Sequence, residues 1–336
     1  MTDQAIPALD LFCGIGGWTA GATRTGRIRV RAALNHSPDA IRAHEGAHPG
    51  VAHYCQDAAE FPFHALAEHV GGGFLLASPS CRDFSQAGRP AARGTGGNGR
   101  VDLGALAGMR TRERNTAWAV VNAAEGLAPR TVLVENVPEF YGWALYPAWR
   151  LALEALGYTV REHTINAADY GGATDRPRAF ITATRGPVLE LAPTWGAGRE
   201  GGRRVVDCLD PDGHPGNRWA EVDRKPARTR DLIRDRQRAA GFRRGILNNV
   251  GDGVRLRPVE DLAPALTTQS GTQLMLVDGD RVRILNPGEL ARVMGWRDGE
   301  HALGGFTRKV ASRLVGNSIP VELAQGIAEQ ALAAAA

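Results

Sequence analysis

Between Ala8 and Thr184, apolar runs of strand length alternate with segments of helical composition, and this alternation restricts the chain to one class of fold. Ala8 to Cys13, Arg29 to Leu34, Phe74 to Ala77 and Thr131 to Val134 read as strands. Gly14-Ile15-Gly16-Gly17 turns the first of them into a helix from Trp18. Ser37 to Ala47, Thr111 to Gly126 and Trp149 to Leu156 have helical composition, and Gly157 ends the last. Tyr158 to Asn166 and Arg178 to Thr184 read as later strands. Strands joined through helices pair in parallel with helices on both faces, so the expectation is an α/β, doubly wound sheet.

Two regions break the rhythm. Gln86 to Gly108 holds seven glycines and little apolar content, which predicts a mobile surface loop. It begins a few residues after Cys81 and is read as a lid, against the plainer reading of an insertion. Pro187 to Arg257 is rich in Gly, Pro and Arg, lacks strand–helix alternation, and is read as a small separate domain. Regular structure is expected again from Val282, with helices over Pro287 to Met294 and Pro320 to Ala335. The 336 residues accommodate one large domain and a small one.

Charge is uneven. Gly201 to Arg257 carries 14 Arg or Lys against 8 Asp or Glu, a net of +6 in a chain whose total is +4. A basic block on a near-neutral remainder points to a polyanion partner. No run approaches the roughly 20 apolar residues of a membrane span, and the polar start enters a strand without a signal-peptide pattern. Cys13, Cys55, Cys81 and Cys208 are scattered, which argues against a zinc cluster or disulfide framework and for a reducing cytoplasm.

In open α/β sheets ligands collect beyond the carboxyl ends of the strands, and three such ends carry chemistry. Asp10 leads into the glycine turn, where missing side chains let a ligand approach the backbone; a tight structural turn is the alternative. A dinucleotide site wants an acidic residue at the end of the second strand, and Asn35-His36 stands there instead. Phe74-Leu-Leu-Ala-Ser-Pro-Ser-Cys81 delivers a thiol at a strand end. A lone cysteine is usually a small buried hydrophobe, but adjacent Arg82 or turn amides would favour its thiolate. Glu135 ends the apolar Thr131-Val-Leu-Val run. A carboxylate there is paired or protonated, making it a candidate general acid, an ion-pair partner of Arg176 or Arg178, or both. Gly316-Asn-Ser-Ile-Pro turns into the last helix, with Ser318 its simplest N-cap.

Taken together these segments resemble the DNA cytosine-5 methyltransferases, in that family's order. Asp10-Leu-Phe-Cys-Gly-Ile-Gly-Gly resembles its S-adenosylmethionine loop and Cys81-x-x-Phe84-Ser85 its nucleophile motif. Glu135-Asn136-Val137 matches its Glu-Asn-Val motif. Tyr170-Gly-Gly-Ala-Thr-Asp-Arg-Pro-Arg178-Ala-Phe resembles its arginine segment. Leu262-Ala-Pro-Ala-Leu-Thr-Thr resembles the motif closing the recognition domain, and Leu285 to Trp296 with Gly316 to Pro320 the C-terminal motifs. Departures stand beside these. Ser80 replaces the usual proline before the cysteine, Arg82-Asp83 the usual Gln and small residue, Thr174 the usual Gln, and Asn35 the usual acidic ribose ligand.

The resemblance implies a Rossmann-like, S-adenosylmethionine-dependent catalytic and cofactor-binding domain over 1–184 plus 283–336. A target-recognition, DNA-binding domain is implied over 185–282. Cys81, Glu135, Arg176 and Arg178 are the implied catalytic residues. Asp10, Phe12, Gly14, Gly16, Gly17, Asn35, His36, Asp57, Pro79, Asn317 and Ser318 are implied around the cofactor. The implied activity is methyl transfer to C5 of a flipped-out cytosine in double-stranded DNA through a covalent cysteine adduct, with no metal. A tRNA cytosine-5 methyltransferase and a catalytically inactive DNA-binding homologue are the alternatives. The expected setting is a cytoplasmic, bacterial nucleoid-associated or phage-encoded monomer without membrane contact.

Overall fold

The computed structural model describes residues 5–80, 116–194, 202–248, 255–268 and 270–335. Cys81 and the expected lid over Gln86 to Gly108 lie outside them. The first half forms strands β1 (Ile6–Leu11), β2 (Ile28–Leu34), β3 (Ala52–Tyr54), β4 (Phe74–Ala77), β5 (Thr131–Asn136), β6 (Thr159–Asn166), β7 (Thr174–Asp175) and β8 (Pro177–Thr184). Helices α1 (Gly17–Arg24), α2 (Pro38–Ala47), α3 (Ala67–Val70), α4 (described over 116–127) and α5 (Tyr146–Ala155) alternate with them. Ser37 caps α2, its hydroxyl accepting from the Ala40 N–H.

Seven strands pair in the order β3-β2-β1-β4-β5-β8-β6. β1, β2, β3, β4 and β5 are parallel, as the alternation predicts, but β8 runs antiparallel to both neighbours. The reason is the short link between β6 and β8. A parallel return needs a crossover of about a dozen residues or more, whereas a short connection gives an antiparallel pair.

Alternate residues of the same strands feed opposite layers, as pleating requires. Leu9, Leu75, Val132 and Val134 pack with Val120 of α4 and Trp149 and Leu153 of α5. Ala8, Phe74, Leu76 and Leu133 pack with Trp18 of α1 and Leu323, Ile327 and Leu332 of the last helix. Full burial of each large apolar side chain contributes about 1.5–3 kcal/mol, so these two layers dominate the stability of the sheet.

The second half contains α6 (Ala227–Ala240) and strands β9 (Ala220–Glu221), β10 (Arg244–Asn248), β11 (Leu256–Pro258), β12 (Ala263–Pro264), β13 (Leu274–Asp278) and β14 (Arg281–Ile284). Helices α7 (Ser270–Gln273), α8 (Pro287–Val293), α9 (Arg308–Gly316) and α10 (Val321–Ala334) complete the fold. β11-β10-β13-β14-β9 form an antiparallel sheet, and β12 pairs in parallel with β7. One face of that sheet, Leu247, Met275, Val277 and Val282, packs on Ile233 of α6. The other, Ile246, Leu274 and Leu276, shares a core with Leu285, Leu290, Val293 and Met294. Arg283 of β14 makes a bidentate pair with Glu289 of α8, at 2.6 and 2.7 Å, and both side chains are wholly buried. No helix among the described residues is long and apolar enough to cross a membrane.

Candidate active site

Strand register aligns the candidate residues along one edge. Tyr54 pairs with Leu34, Leu34 with Leu11, Leu11 with Ala77, and Ala77 with Val134. The next residues, Cys55, Asn35, Phe12 and Ser78, therefore lie just beyond the carboxyl ends of β3, β2, β1 and β4, and Glu135, still within β5 and paired with Phe180, continues that row across adjacent strands. Cys81 follows this row by three residues along the chain.

The loop after β1 has a strained backbone. Phe12 adopts a left-handed conformation, φ 64°, which costs a non-glycine residue of order 1–3 kcal/mol and persists only when its surroundings enforce it. Here the Phe12 and Cys13 N–H groups both donate to the Leu34 carbonyl, at 2.8 and 3.2 Å. Gly14 and Gly16 are also left-handed, φ 56° and 90°. Gly17 opens α1 against the C-terminal segment, and a Cβ there would lie 2.5 Å from Ser318 Oγ and nearer still to the Ile319 carbonyl. Space is open around Gly14, and Phe12 is half-buried beside it. This ledge of backbone with an aromatic neighbour fits a nucleoside-bearing cofactor.

Asp10 stands behind the ledge, not on it. Its carboxylate is wholly buried and accepts from the Thr19 N–H (3.2 Å) and hydroxyl (2.7 Å). Thr19 Oγ1 lies 3.0 Å from His44 Nε2, and His44 Nδ1 2.8 Å from His53 Nε2. His48 packs on His44 with ring centres 4.8 Å apart. Burial, reinforced by His44, pushes the His48 pKa down to about 4, and the same causes lower His53. Asp10, expected among the cofactor-binding residues, uses its side chain to link α1 and α2 behind the loop.

Glu135 forms an ion pair with Arg178, Nε to Oε1 3.1 Å, and both side chains are largely buried. Arg176 has a different environment. It is 3% exposed, and its guanidinium donates to the carbonyls of Leu266 (2.6 Å), Gly316 (3.3 Å) and Ser318 (3.2 Å). It thereby ties its own segment to Leu266 and to the Gly316–Ser318 turn, whereas the sequence gives it the same base-contacting expectation as Arg178. Thr174, also buried, donates to the Pro264 carbonyl at 3.2 Å.

The remaining candidates lie along the same rim. Asn35 accepts from the Ser37 N–H at 2.9 Å, exposed His36 follows it, and exposed Asp57 accepts from the Ala59 N–H. The Pro79 carbonyl accepts from Asn136 Nδ2 at 3.2 Å. Asn317 is exposed at the end of α9, and the buried Ser318 hydroxyl donates to the Ile319 carbonyl. Ser318 is not the N-cap of α10, where Pro320 stands. Two thiols are unsuited to nucleophilic chemistry: burial raises Cys13 well above the usual range and pushes Cys208 up to about 11. Sequence reading passed over Thr116, whose Oγ1 accepts from the Ser80 N–H at 3.0 Å, and gave no role to Trp18, whose Nε1 donates to Ser78 Oγ at 3.1 Å. No local pattern signals either contact.

The model of the C-5 cytosine-specific DNA methylase family matches residues 6–190, more than half of the chain. The chain belongs to that family. Its members are S-adenosylmethionine-dependent cytosine-5 methyltransferases. A similar relative, the type II methyltransferase M.NaeI of Lentzea aerocolonigenes, is 25% identical over 367 residues, spanning 98% of this chain and 76% of that protein. The fold is similar to that of S. pombe Dnmt2 methyltransferase, with a TM-score of 0.68, 17% identity and 98% of each chain covered. It is likewise similar to the Entamoeba histolytica methyltransferase EhMeth, with a TM-score of 0.65, 14% identity and 97% and 98% covered.

Proposed function

We propose that this protein methylates C5 of a cytosine flipped out of double-stranded DNA, with Cys81 as covalent nucleophile. The observation that carries the reading is the row at the strand ends. It sets the Glu135–Arg178 pair on one side of the segment leading to Cys81 and the strained glycine ledge on the other.

Cytosine C5 is a weak nucleophile. Addition of the Cys81 thiolate to C6 moves the ring electrons toward C5 and N3. Glu135 holds N3 and supplies or shares a proton there, and Arg178 keeps that carboxylate oriented and offsets developing charge. Phe12, Gly14, Asn35, Asp57, Asn317 and Ser318 would hold S-adenosylmethionine, which would supply the electrophilic methyl group. Loss of the C5 proton to water, return of the N3 proton to Glu135 and departure of the Cys81 thiolate restore the ring. The base is out of reach within a duplex, so it must leave the stack.

Residues 1–184 with 283–336 serve as the catalytic part in this reading, and 185–282 as the target-recognition part. Several arginines of the basic block face carboxylates: Arg234 with Asp223 and Asp280, Arg238 with Asp235, and Arg257 with Asp175. Attraction to DNA then rests on the net excess, which makes binding salt-dependent. The test is transfer of labelled methyl to duplex DNA with tRNA as competitor. Trapping on 5-fluorocytosine DNA and a Cys81→Ala control accompany it. Transfer that survives Cys81→Ala rejects the nucleophile, and preference for tRNA rejects the substrate.

A further inference from the structure

Three side chains from separate parts of the chain converge on Ser78-Pro79-Ser80, the last residues before position 81. Trp18 of α1 donates from Nε1 to Ser78 Oγ at 3.1 Å. Asn136 of β5 donates to the Pro79 carbonyl at 3.2 Å, its own amide held by accepting from the Val137 N–H at 2.8 Å. The Ser80 N–H donates to Thr116 Oγ1 of α4 at 3.0 Å. The sheet ladder ends before this point: β4 stops at Ala77, and among the described residues the backbone bond beyond it runs from Ser78 N to the Leu11 carbonyl. Each residue of the tripeptide therefore has its own side-chain tether, one each from α1, β5 and α4.

Such tethers matter because proline fixes φ only at position 79. Ordering each remaining backbone residue costs conformational entropy that a tether must offset. A displacement of about 1 Å at a reacting group costs about 10²-fold in rate. Ser80 retains an N–H, and a hydroxyl from a helix 36 residues away accepts it. We propose that Thr116 is a positioning residue for the Cys81 nucleophile, with Trp18 its counterpart on the other flank. This inference rests on Cys81 being the nucleophile.

The test is single-turnover adduct formation on 5-fluorocytosine DNA, with DNA affinity, cofactor affinity and unfolding midpoint measured alongside. Thr116→Val keeps the shape and removes the acceptor, and should slow adduct formation about 10- to 100-fold with DNA affinity unchanged. Thr116→Ser keeps the hydroxyl and should stay within about threefold of the parent. A double-mutant cycle adds independent discrimination. Proline at position 80 has no N–H and fixes φ, so in a Ser80→Pro background Thr116→Val should cost nothing further. Should Thr116→Val not fold, Trp18→Phe provides the second reading, with about tenfold slowing expected. Absence of adduct in the parent rejects the nucleophile and the tether together. A parent adduct with Thr116→Val and Trp18→Phe at parent rates rejects the tether alone. Equal losses in Thr116→Val and Thr116→Ser, or a loss traced to DNA affinity, also reject it.

Discussion

Arg176 and Arg178 provide the sharpest test of how this site is built, because the structure gives two neighbouring guanidinium groups different work. Arg176 donates to three carbonyls, those of Leu266, Gly316 and Ser318, from a nearly fully buried position. A hydrogen bond to a charged group contributes about 1.5–3 kcal/mol. The bonds at 3.2 and 3.3 Å belong at the lower end, and the three are not additive, so Arg176→Ala should cost about 3–5 kcal/mol. That is a large part of a typical 5–15 kcal/mol of stability. Lysine offers a point charge, not a planar fork, and cannot span Leu266 and Ser318 together; Arg176→Lys should recover less than half. Arg178→Ala should cost much less, since its second bond is to the carbonyl of its own neighbour Pro177. It should remove methyl transfer while leaving the fold. Urea unfolding followed by circular dichroism, run beside the transfer assay, separates the cases. Arg176→Ala unfolding at the parent midpoint, or showing the Arg178→Ala pattern of intact stability and lost activity, would refute the reasoning.

Two further predictions concern the ledge. Gly17→Ala drives a Cβ against Ser318 Oγ and the Ile319 carbonyl. It should cost about 1–3 kcal/mol and weaken S-adenosylmethionine binding at least tenfold by calorimetry. Gly14→Ala, with open space around it, should cost only its left-handed φ, of order 1–2 kcal/mol. Equal effects of the two would discredit the close approach of residues 17 and 318. The second concerns pH. His48 titrates near 6.5 unfolded and about 4 folded, so the unfolded chain binds the extra proton between those values. Stability is full above pH 6.5 and is lost as pH falls toward 4. Allowing for the partial exposure of His48, the loss should be roughly 1–2 kcal/mol. His48→Gln should flatten that part of the profile in urea unfolding at pH 7.5, 6.0 and 5.0; parallel profiles for variant and parent would remove His48 as the cause.

The first half of the fold was legible because its signals are local. Apolar runs marked β1, β2, β4 and β5, Ser37 capped α2, and Gly157 with φ 87° ended α5. β3 escaped because Ala52-His-Tyr54 has no apolar run and is defined only by pairing with β2. α6 escaped because Ala227–Ala240 is largely Arg and Asp and buries only Ile233. The direction of β8 escaped because it depends on the link from β6, not on composition. The second sheet was hard to delimit for a physical reason: its two faces enter different cores, one with α6 and one with α8. Composition shifts along the chain do not report such shared burial.

Legibility of the site divides along the same line. Residues that end strands stood out, because a polar group after an apolar run is conspicuous. Residues that support them come from elsewhere in the chain, and Thr116, Trp18 and His44 carried no signal. The arginines expose the limit most clearly. Two residues apart on an extended segment, they should face the same way, and the sequence reading gave them one role. Between them the chain changes sheets, since β7 through Asp175 pairs with β12 while β8 from Pro177 pairs with β5 and β6. Arg176 occupies the junction and turns into the protein to hold three carbonyls, and Arg178, already within the main sheet, meets Glu135. A strand period predicts shared facing only within one strand. Where two short strands of different sheets abut, neighbouring side chains of the same type can separate into a structural clamp and an ion-pair partner for a strand-end carboxylate.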